Sequence, residues 1–404
     1  MTEDQKKQLN HLLNEIGKAL DVTKTEYDAI TTSYQAVSNH LAEANSPLRA
    51  YQPQIRPQGS FLFGTAVRPV SEDGDLDIDL VCELTRKPAQ WTQHTTKKAV
   101  GDRLKDSKIY AAMLDKEGKR CWTLKYASNK YHMDILPCFV NDDYPTELER
   151  MLADSSSAIT DTTAIRITDN TRWDYFTETD TDKWLKSNPF GLAKWFYNIA
   201  YRPTSFKRSL NLRETIAPVP KYNENRSTLQ RAIQLMKRHR DMMFIMDDTD
   251  KPISIIITTL AARAYDDSTD LLNALTHIAG YMTSYIKGEP GHRVIENPVN
   301  PSENFADRWK PENNKEKNFY NWVAKLQADI NRIYLSAGNG QDKIKVLLDE
   351  LFGEKVSKAS FSAYADYMAQ QRNDGRLTAS AVAGTLGTSA GALVPKHNFY
   401  GEHE

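Results

Sequence analysis

Two aspartates, Asp77 and Asp79, alternate with apolar residues in the sequence LDIDL at positions 76–80. Side chains at positions i and i+2 of a strand share a face, roughly 6.5–7 Å apart, so these two carboxylates should project together. A third acid, Asp134, lies within another apolar run. Carboxylates on one face repel each other, and divalent cations relieve that repulsion. The pattern predicts a site for two Mg²⁺ ions, with Mn²⁺ as a substitute, of the kind that supports in-line displacement at phosphorus.

A Gly-Ser pair, Gly59 and Ser60, precedes the acidic segment, and a turn there would offer N–H groups and a hydroxyl to phosphate oxygens. An isolated Asp-x-Asp in a strand is more often a solvated face than a metal site. Here apolar residues bracket the acids and a third embedded aspartate follows, which favours metal chemistry. Asp75 is in phase with the pair, but Gly74 precedes it, so we interpret Asp75 as the strand entrance.

Apolar periodicity predicts the elements that must position these residues. Two helical series, at residues 9–20 and 27–41, predict N-terminal helices joined near residues 21–25. The segment 61–139 has the character of strands, with one strand at 76–84 and a hairpin formed by 121–127 and 131–137. Residues 141–180 show no pattern that places them. From about residue 188 the pattern is helical, with apolar stripes at 229/233/236, 272/275/278 and 322/326/330.

Composition excludes several classes of protein. The 404 residues contain 52 Lys and Arg against 53 Asp and Glu, a formal net charge of −1. Coating nucleic acid needs a cationic excess, so we expect no stable nucleic-acid binding. The most apolar run, 253–260, is far shorter than the ~20 residues that cross a bilayer, and the charged start lacks the apolar stretch of a signal peptide. Three scattered cysteines indicate neither a disulfide framework nor a zinc site. We expect a cytoplasmic protein that does not associate with membranes.

The Gly-Ser pair and the acidic strand resemble the GS-x(n)-hDhDh signature of the polymerase-β-like nucleotidyltransferases, with Asp134 as the third acid. Longer stretches resemble the bacterial CD-NTases of the cyclic GMP–AMP synthase and oligoadenylate synthase type, the signal synthases of CBASS anti-phage defence. These stretches are QGSFLFGTAVRP (58–69), SNPFGLAKWF (187–196), LQRAIQLMKRHRD (229–241), KPISIIITTLAARAY (251–265) and ENPVNPSENFADRW (296–309). Together they span the chain from about residue 1 to 375.

The resemblance implies an α+β fold. Residues 1–187 would form a polymerase-β-like nucleotidyltransferase core, a mixed sheet with the N-terminal helices. Residues 188–375 would form a helical domain that completes the nucleotide cleft, and residues 376–404, rich in small and polar residues, a flexible C-terminal tail. The same resemblance assigns catalysis and metal binding to Asp77, Asp79 and Asp134.

The resemblance also assigns the nucleotide triphosphate to Gln58, Ser60, Lys237 and Ser254. A lysine ammonium opposite the metal site would balance the remaining phosphate charge. Two structural alternatives stay open from the residues alone. Lys237, with the basic residues that follow it, could complement the C-terminal end of its helix, and Ser254 could be a helix N-cap.

The implied activity is template-independent joining of NTPs into a cyclic di- or trinucleotide second messenger, with release of pyrophosphate. We expect ATP among the substrates, leave the second base open and favour 3′–5′ linkages. An RNA-terminal or tRNA-modifying nucleotidyltransferase, and a toxin that labels a macromolecule, would share the acidic residues, as would a non-catalytic nucleotide-binding sensor. The family implies an operon partner of HORMA type or one that conjugates the C-terminus. The final GEHE lacks the terminal Gly for direct conjugation, so we favour a HORMA-type partner or none.

Overall fold

The computed structural model describes residues 1–71, 73–153, 161–202, 214, 217, 220–379, 386–388 and 391–395. Its α-helices are α1 (Glu3–Ala19), α2 (Lys24–Ala42), α3 (Gly59–Leu62), α4 (Gln93–Lys105), α5 (Lys108–Met113), α6 (Tyr144–Ala153), α7 (Pro189–Ala200), α8 (Thr228–Met243), α9 (Ser254–Ala264), α10 (Leu271–Tyr281), α11 (Lys315–Ser336), α12 (Gln341–Phe352) and α13 (Glu354–Asn373). Its strands are β1 (Gln54–Pro57), β2 (Leu76–Leu84), β3 (Trp122–Tyr126), β4 (Tyr131–Phe139), β5 (Ile165–Ile167), β6 (Leu185–Ser187), β7 (Glu296–Asn297), β8 (Asn300–Asn304), β9 (Thr378–Ala379), β10 (Leu386–Gly387) and β11 (Ala392–Leu393). Short 3₁₀ turns lie at Arg49–Tyr51, Ala127–Asn129, Asp161–Thr163, Thr181–Lys183 and Met282–Tyr285.

The predicted N-terminal helices α1 and α2 are confirmed. Each begins with a capping box, formed by Thr2 with Gln5 in α1 and by Thr23 with Glu26 in α2. Their apolar faces enter different cores, because the face of α1 packs among the C-terminal helices whereas that of α2 packs on the sheet. The first residues of the chain are therefore tied to its C-terminal half. The division at residues 187 and 375 stays a prediction.

A mixed sheet with the strand order β1-β2-β4-β5-β6 forms the centre of the N-terminal half, and β3 pairs with β4. The predicted strand 76–84 is β2, and the predicted hairpin is the antiparallel pair β3 and β4. β2 and β4 run parallel, in a register that sets Asp79 beside Asp134. Parallel neighbours need a long crossover connection, and here the connection from β2 to β4 contains α4, α5 and β3.

The interpretation of residues 61–139 as strands is wrong in part, because α4 and α5 lie between β2 and β3. The apolar periodicity of α4 is hidden, since several of its buried residues are polar: Gln93, Thr96, Lys97 and Arg103. Lys97 is fully buried, and its Nζ is 2.9 Å from Glu117 Oε1. The unplaced segment 141–180 contains α6 and β5.

The helical prediction for the C-terminal half is confirmed over the described residues, and all three apolar stripes are buried. Within the segment expected to be a flexible tail, β9, β10 and β11 pair into a small antiparallel sheet. The segments 380–385, 389–390 and 396–404 of that predicted tail lie outside the described residues. Across the described helices, no stretch combines the length and apolarity that a bilayer crossing requires.

The contact between α4 and the sheet gives a stability prediction. A Cβ added at Gly101 would lie 2.2 Å from Trp122 Cζ2, whereas one at Gly280 in α10 would meet nothing within 4 Å. We expect Gly101→Ala to lower the free energy of unfolding by roughly 1–3 kcal/mol through overpacking. Gly280→Ala, the matched control, should raise it by about 0.5–1 kcal/mol because it removes a helical glycine. Urea denaturation checks both, and a neutral Gly101→Ala would contradict the packing argument.

Candidate active site

The three predicted acids meet on one face of the sheet, on the neighbouring strands β2 and β4. One ligand oxygen from each of Asp77, Asp79 and Asp134 lies within 4.8 Å of the others. The parallel register produces this cluster, because it sets Asp79 directly beside Asp134 while Asp77 follows on the same face of β2. Asp75, the alternative on the same strand face, is not part of the cluster. The geometry thus brings together the three carboxylates that the sequence selected.

Neighbouring side chains orient two of these carboxylates. Thr123, opposite Asp134 in the β3–β4 pair, donates its hydroxyl proton to Asp134 Oδ1. His132 Nε2 lies 3.4 Å from Asp77 Oδ1, and hydrogen bonding to Asp77 raises the pKa of His132. The sequence analysis missed both residues, although the hairpin register would have placed Thr123 beside Asp134.

The cluster holds negative charge that the nearby side chains Lys237 and His132 offset only in part. Burial raises the pKa of Asp79 to about 7, and repulsion from Asp77 and Asp134 acts in the same direction. Carboxylate oxygens are the ligands that Mg²⁺ prefers. Three such groups at this spacing fit a divalent cation, because they offer hard oxygen donors and a charge that needs compensation.

The Gly-Ser pair begins a helical turn, α3, beside the acids. Gly59 has φ +59°, and a Cβ there would lie only 2.4 Å from Asp79 Oδ2. Glycine is therefore required at this position both for its backbone conformation and for space. The main-chain N–H of Gln58 also donates to Asp79 O at 2.9 Å. These contacts fix the start of α3 against the acidic strand.

Two cavities flank the acidic cluster. The first cavity, of about 860 Å³, is lined by Asp77, Ser60, Lys237, Arg240 and Ser254, among others. The second cavity, of about 750 Å³, is lined by Asp79, Gln58, Arg120, Glu303 and Asp307, among others. Both volumes lie in the range of ordinary small-molecule sites, ~300–1,000 Å³. The acids thus stand between two spaces that are each large enough for a nucleotide.

Lys237 faces the first cavity from the middle of α8. Its Nζ donates to Thr65 O and to Thr65 Oγ1, both at 3.1 Å. Burial lowers the pKa of Lys237 to about 7, and the charge of Arg240 acts in the same direction. Because the side chain is buried and reaches Thr65, it does not complement the helix end at Met243, and that alternative is wrong.

Ser254 is the first residue of α9. Its helix has Ile253 at the N-cap position without a side-chain cap, so the interpretation of Ser254 as the N-cap is wrong. Arg240 Nη1 donates to Ser254 Oγ and to Pro252 O, each at 3.0 Å. Since Ser254 Oγ accepts from Arg240, its own proton remains available to donate to an anion. Arg240 is a site residue that the sequence analysis considered only as a helix-end charge.

The predicted nucleotide-binding residues do not share one cavity. Ser60, Lys237 and Ser254 line the first cavity, whereas Gln58 lines the second. Gln58 and Ser60 flank Gly59 at the start of α3, where the chain turns. The two side chains, although close in sequence, therefore face different cavities. The assignment of all four residues to a triphosphate stays a prediction.

The acidic cluster gives a pH prediction for metal binding. With its raised pKa, Asp79 is mostly protonated at pH 6 and must lose that proton to bind a cation. At pH 8 it is ionised, and the unrelieved repulsion lowers the stability of the metal-free protein. We therefore expect Mg²⁺ to raise the melting temperature more at pH 8 than at pH 6, measured against EDTA without nucleotide.

Two variants separate this effect from general charge effects. Asp79→Asn should melt higher than the wild type at pH 8 in EDTA and should lose the response to Mg²⁺. Asp75→Asn, the matched control outside the cluster, should keep that response. Equal Mg²⁺ responses of the wild type at the two pH values would count against the cluster as the metal site.

Comparisons with known proteins agree with this geometry. Residues 5–157 match the family described as the Second Messenger Oligonucleotide or Dinucleotide Synthetase domain, SMODS. Over the full length of both proteins the chain is 27% identical to a protein of Roseivirga ehrenbergii named c-di-GMP synthase. It is 24% identical to the cyclic dinucleotide synthase CdnG of Bradyrhizobium diazoefficiens, over 84% of this chain and 79% of CdnG.

Solved structures show the same fold. The structure of that CdnG in complex with GTP superposes with a TM-score of 0.64 at 18% identity, covering 88% of this chain and 99% of CdnG. A complex of E. coli CdnC with HORMA superposes with a TM-score of 0.56 at 14% identity, covering 87% of this chain and 97% of CdnC. The predicted α+β nucleotidyltransferase fold with a helical C-terminal region is thereby confirmed. Residues 5–157 are thus similar to the SMODS domain, and the resemblance of the chain to the bacterial CD-NTases is confirmed.

Proposed function

We propose that this protein is a nucleotidyltransferase that joins NTPs, without a template, into a cyclic di- or trinucleotide and releases pyrophosphate. The observation that carries the proposal is the cluster of Asp77, Asp79 and Asp134 between two nucleotide-sized cavities. A reaction between two nucleotides needs a site at which both can reach the same cations. The SMODS match and the names of the curated relatives support the cyclic product.

We assign the donor NTP to the first cavity. Its triphosphate would meet the ammonium of Lys237 and the hydroxyls of Ser60 and Ser254. Two N–H groups of the Lys237 ammonium are held by Thr65, and no other described residue accepts a hydrogen bond from this nitrogen, so the third can point at a phosphate. The second cavity would hold the acceptor nucleotide, with Gln58 beside its ribose end and Asp79 between the two substrates.

The acidic cluster would hold Mg²⁺, which when bound neutralises phosphate charge and favours ionisation of the attacking hydroxyl. The residues of the chain supply orientation. Thr123 and His132 restrict the carboxylates of Asp134 and Asp77, and the turn at Gly59 leaves room beside Asp79. The acceptor hydroxyl forms a bond to the donor α-phosphorus, and the bond to pyrophosphate breaks on the opposite side.

The choice of bases follows from the relatives alone. One is named for c-di-GMP and the other has been solved with GTP, so we propose GTP as a substrate and keep ATP as the second NTP to test. The 3′–5′ linkage stays a prediction.

The biological setting is also a proposal. We place the protein in CBASS anti-phage signalling in the cytoplasm, with a HORMA-type partner, because CdnC has been solved with HORMA. Conjugation of the C-terminus is the alternative mode of partnership.

The function is tested with purified protein, Mg²⁺ and α-³²P-labelled GTP and ATP, with and without RNA, followed by mass spectrometry. We expect a nuclease-P1-sensitive cyclic product that forms without RNA. Asp77→Asn and Asp134→Asn should each lower its rate by at least ~100-fold, since loss of an outer-shell partner alone costs about 10–100-fold. Asp102→Asn, an exposed acid of α4 paired with Lys98, is the matched control and should leave the rate unchanged.

Each other outcome supports a different activity. Label on RNA or tRNA would identify an RNA-modifying nucleotidyltransferase, and label on protein would identify a macromolecule-modifying toxin. NTP binding without release of pyrophosphate would identify a sensor. Full activity of Asp77→Asn would show that the acidic cluster is not the reaction centre.

A further inference from the structure

Residues 63–69 connect α3 to the loop before β2 without belonging to a helix or a strand. Buried main-chain carbonyls need donors wherever they lie. Within the described part of the chain, no main-chain N–H donates to the carbonyls of Phe63, Thr65, Ala66, Arg68 or Pro69. The segment also forms part of the wall of the first cavity, through residues 66–69. Main-chain bonds hold several of its amides, among them those of Thr65 and Arg68, whereas its carbonyls depend on side chains from elsewhere.

Helix α8 supplies those donors from one face. Gln230 Nε2 donates to Phe63 O at 2.8 Å, and Gln234 Nε2 donates to Ala66 O at 3.0 Å. One Arg238 nitrogen, Nη2, donates to Arg68 O at 2.9 Å and to Pro69 O at 3.2 Å.

The spacing of these donors matches the path of the segment. Residues 230, 234 and 238 recur every four residues, so they form one row along the helix surface. Four helical residues advance ~6 Å, close to the ~6.6 Å that two extended residues cover between Ala66 and Arg68. The first step, from Phe63 to Ala66, spans three residues and contains the turn at Gly64, whose φ is +64°.

The donors are themselves fixed. Gln234 is 1% exposed and Arg238 is 3% exposed. Arg231 Nη1 donates to Gln234 Oε1 at 2.9 Å, and Gln234 Nε2 also donates to Asp21 Oδ1 at 2.8 Å. These contacts set which end of the Gln234 amide faces Ala66. The row is thus a rigid link between α8 and the cavity wall.

We propose that Gln234 and Arg238 are positioning residues for the triphosphate, an inference that rests on the proposed function. They hold the main chain of residues 65–69 at a fixed distance from α8. Thr65 in turn holds two of the three N–H groups of Lys237, which lies on the same helix. When a donor of this row is removed, Thr65 and the cavity wall can move relative to Lys237. The third N–H of Lys237 is then no longer held in the direction of the triphosphate.

Three variants test the proposal. Gln234→Leu and Arg238→Met remove the donors and keep much of the side-chain volume, and Arg238→Lys is the milder change if Arg238→Met does not fold. Arg103→Met is the matched control, because Arg103 is 7% exposed and donates to a main-chain carbonyl, His40 O, at 3.0 and 3.1 Å in another part of the protein.

The first readout needs no catalysis. Hydrogen exchange is measured at the amides of Thr65 and Arg68, which donate to Ser60 O and Leu20 O, and affinity is measured for inorganic tripolyphosphate with Mg²⁺. We expect faster exchange at both amides and roughly tenfold weaker affinity in the Gln234 and Arg238 variants, as for an unsatisfied buried carbonyl. Arg103→Met should change neither, although it lowers the melting temperature.

The second readout separates positioning from general loss of structure. In turnover assays with GTP, the KM of the Gln234 and Arg238 variants should rise about tenfold while kcat changes much less. Unchanged exchange and affinity, or an equal loss in Arg103→Met, would overturn the proposal. If the wild type binds tripolyphosphate but makes no cyclic product, the proposed function fails while this inference stands on its first readout.

Discussion

The mutual repulsion of three carboxylates on one face of the sheet is the constraint on which the rest of the structure depends. Asp77, Asp79 and Asp134 are held together by strand register rather than by attraction between them. Such an arrangement lowers the stability of the metal-free protein, so the surrounding sheet must supply the compensation. It does so through the apolar residues that alternate with the acids on β2 and β4, which are almost fully buried beneath them.

The helical half of the protein must accommodate buried positive charges instead of buried negative ones. Lys237 and Arg240 are buried cations on one helix, and their mutual repulsion is relieved in part by Thr65, Asp241 and Ser254. An apolar core joins α8 to the sheet, and polar side chains of α8 add hydrogen bonds to main-chain carbonyls of the segment 63–69. This kind of contact fixes direction as well as distance, because hydrogen bonds weaken when their angles change.

Much of this arrangement could be predicted from the sequence. The alternation of LDIDL gave β2 its bounds, and the apolar residues around Asp134 gave the second strand. Helix α4 could not be found in this way, because its buried face includes Gln93 and Lys97, whose burial depends on partners distant in sequence. The separation of Gln58 from Ser60 was also hidden, since it depends on the turn at Gly59. Thr65 offered no signal of its own, because its role arises from where α8 lies.

The two halves place opposite charges near the acidic cluster: Asp79 lines the second cavity, and Lys237 lines the first. The ionised form of Asp79 and the charged form of Lys237 are both disfavoured by burial, which brings both pKa values to about 7. They also attract one another, since each favours the charged state of the other. A divalent cation satisfies only the acids, and a free triphosphate satisfies only the lysine and adds charge near the acids. The Mg²⁺ complex of an NTP satisfies both groups at once, so metal and nucleotide should bind with positive coupling. A site built in this way would select the complex over either component, which is the form of the substrate that the proposed nucleotidyl transfer requires.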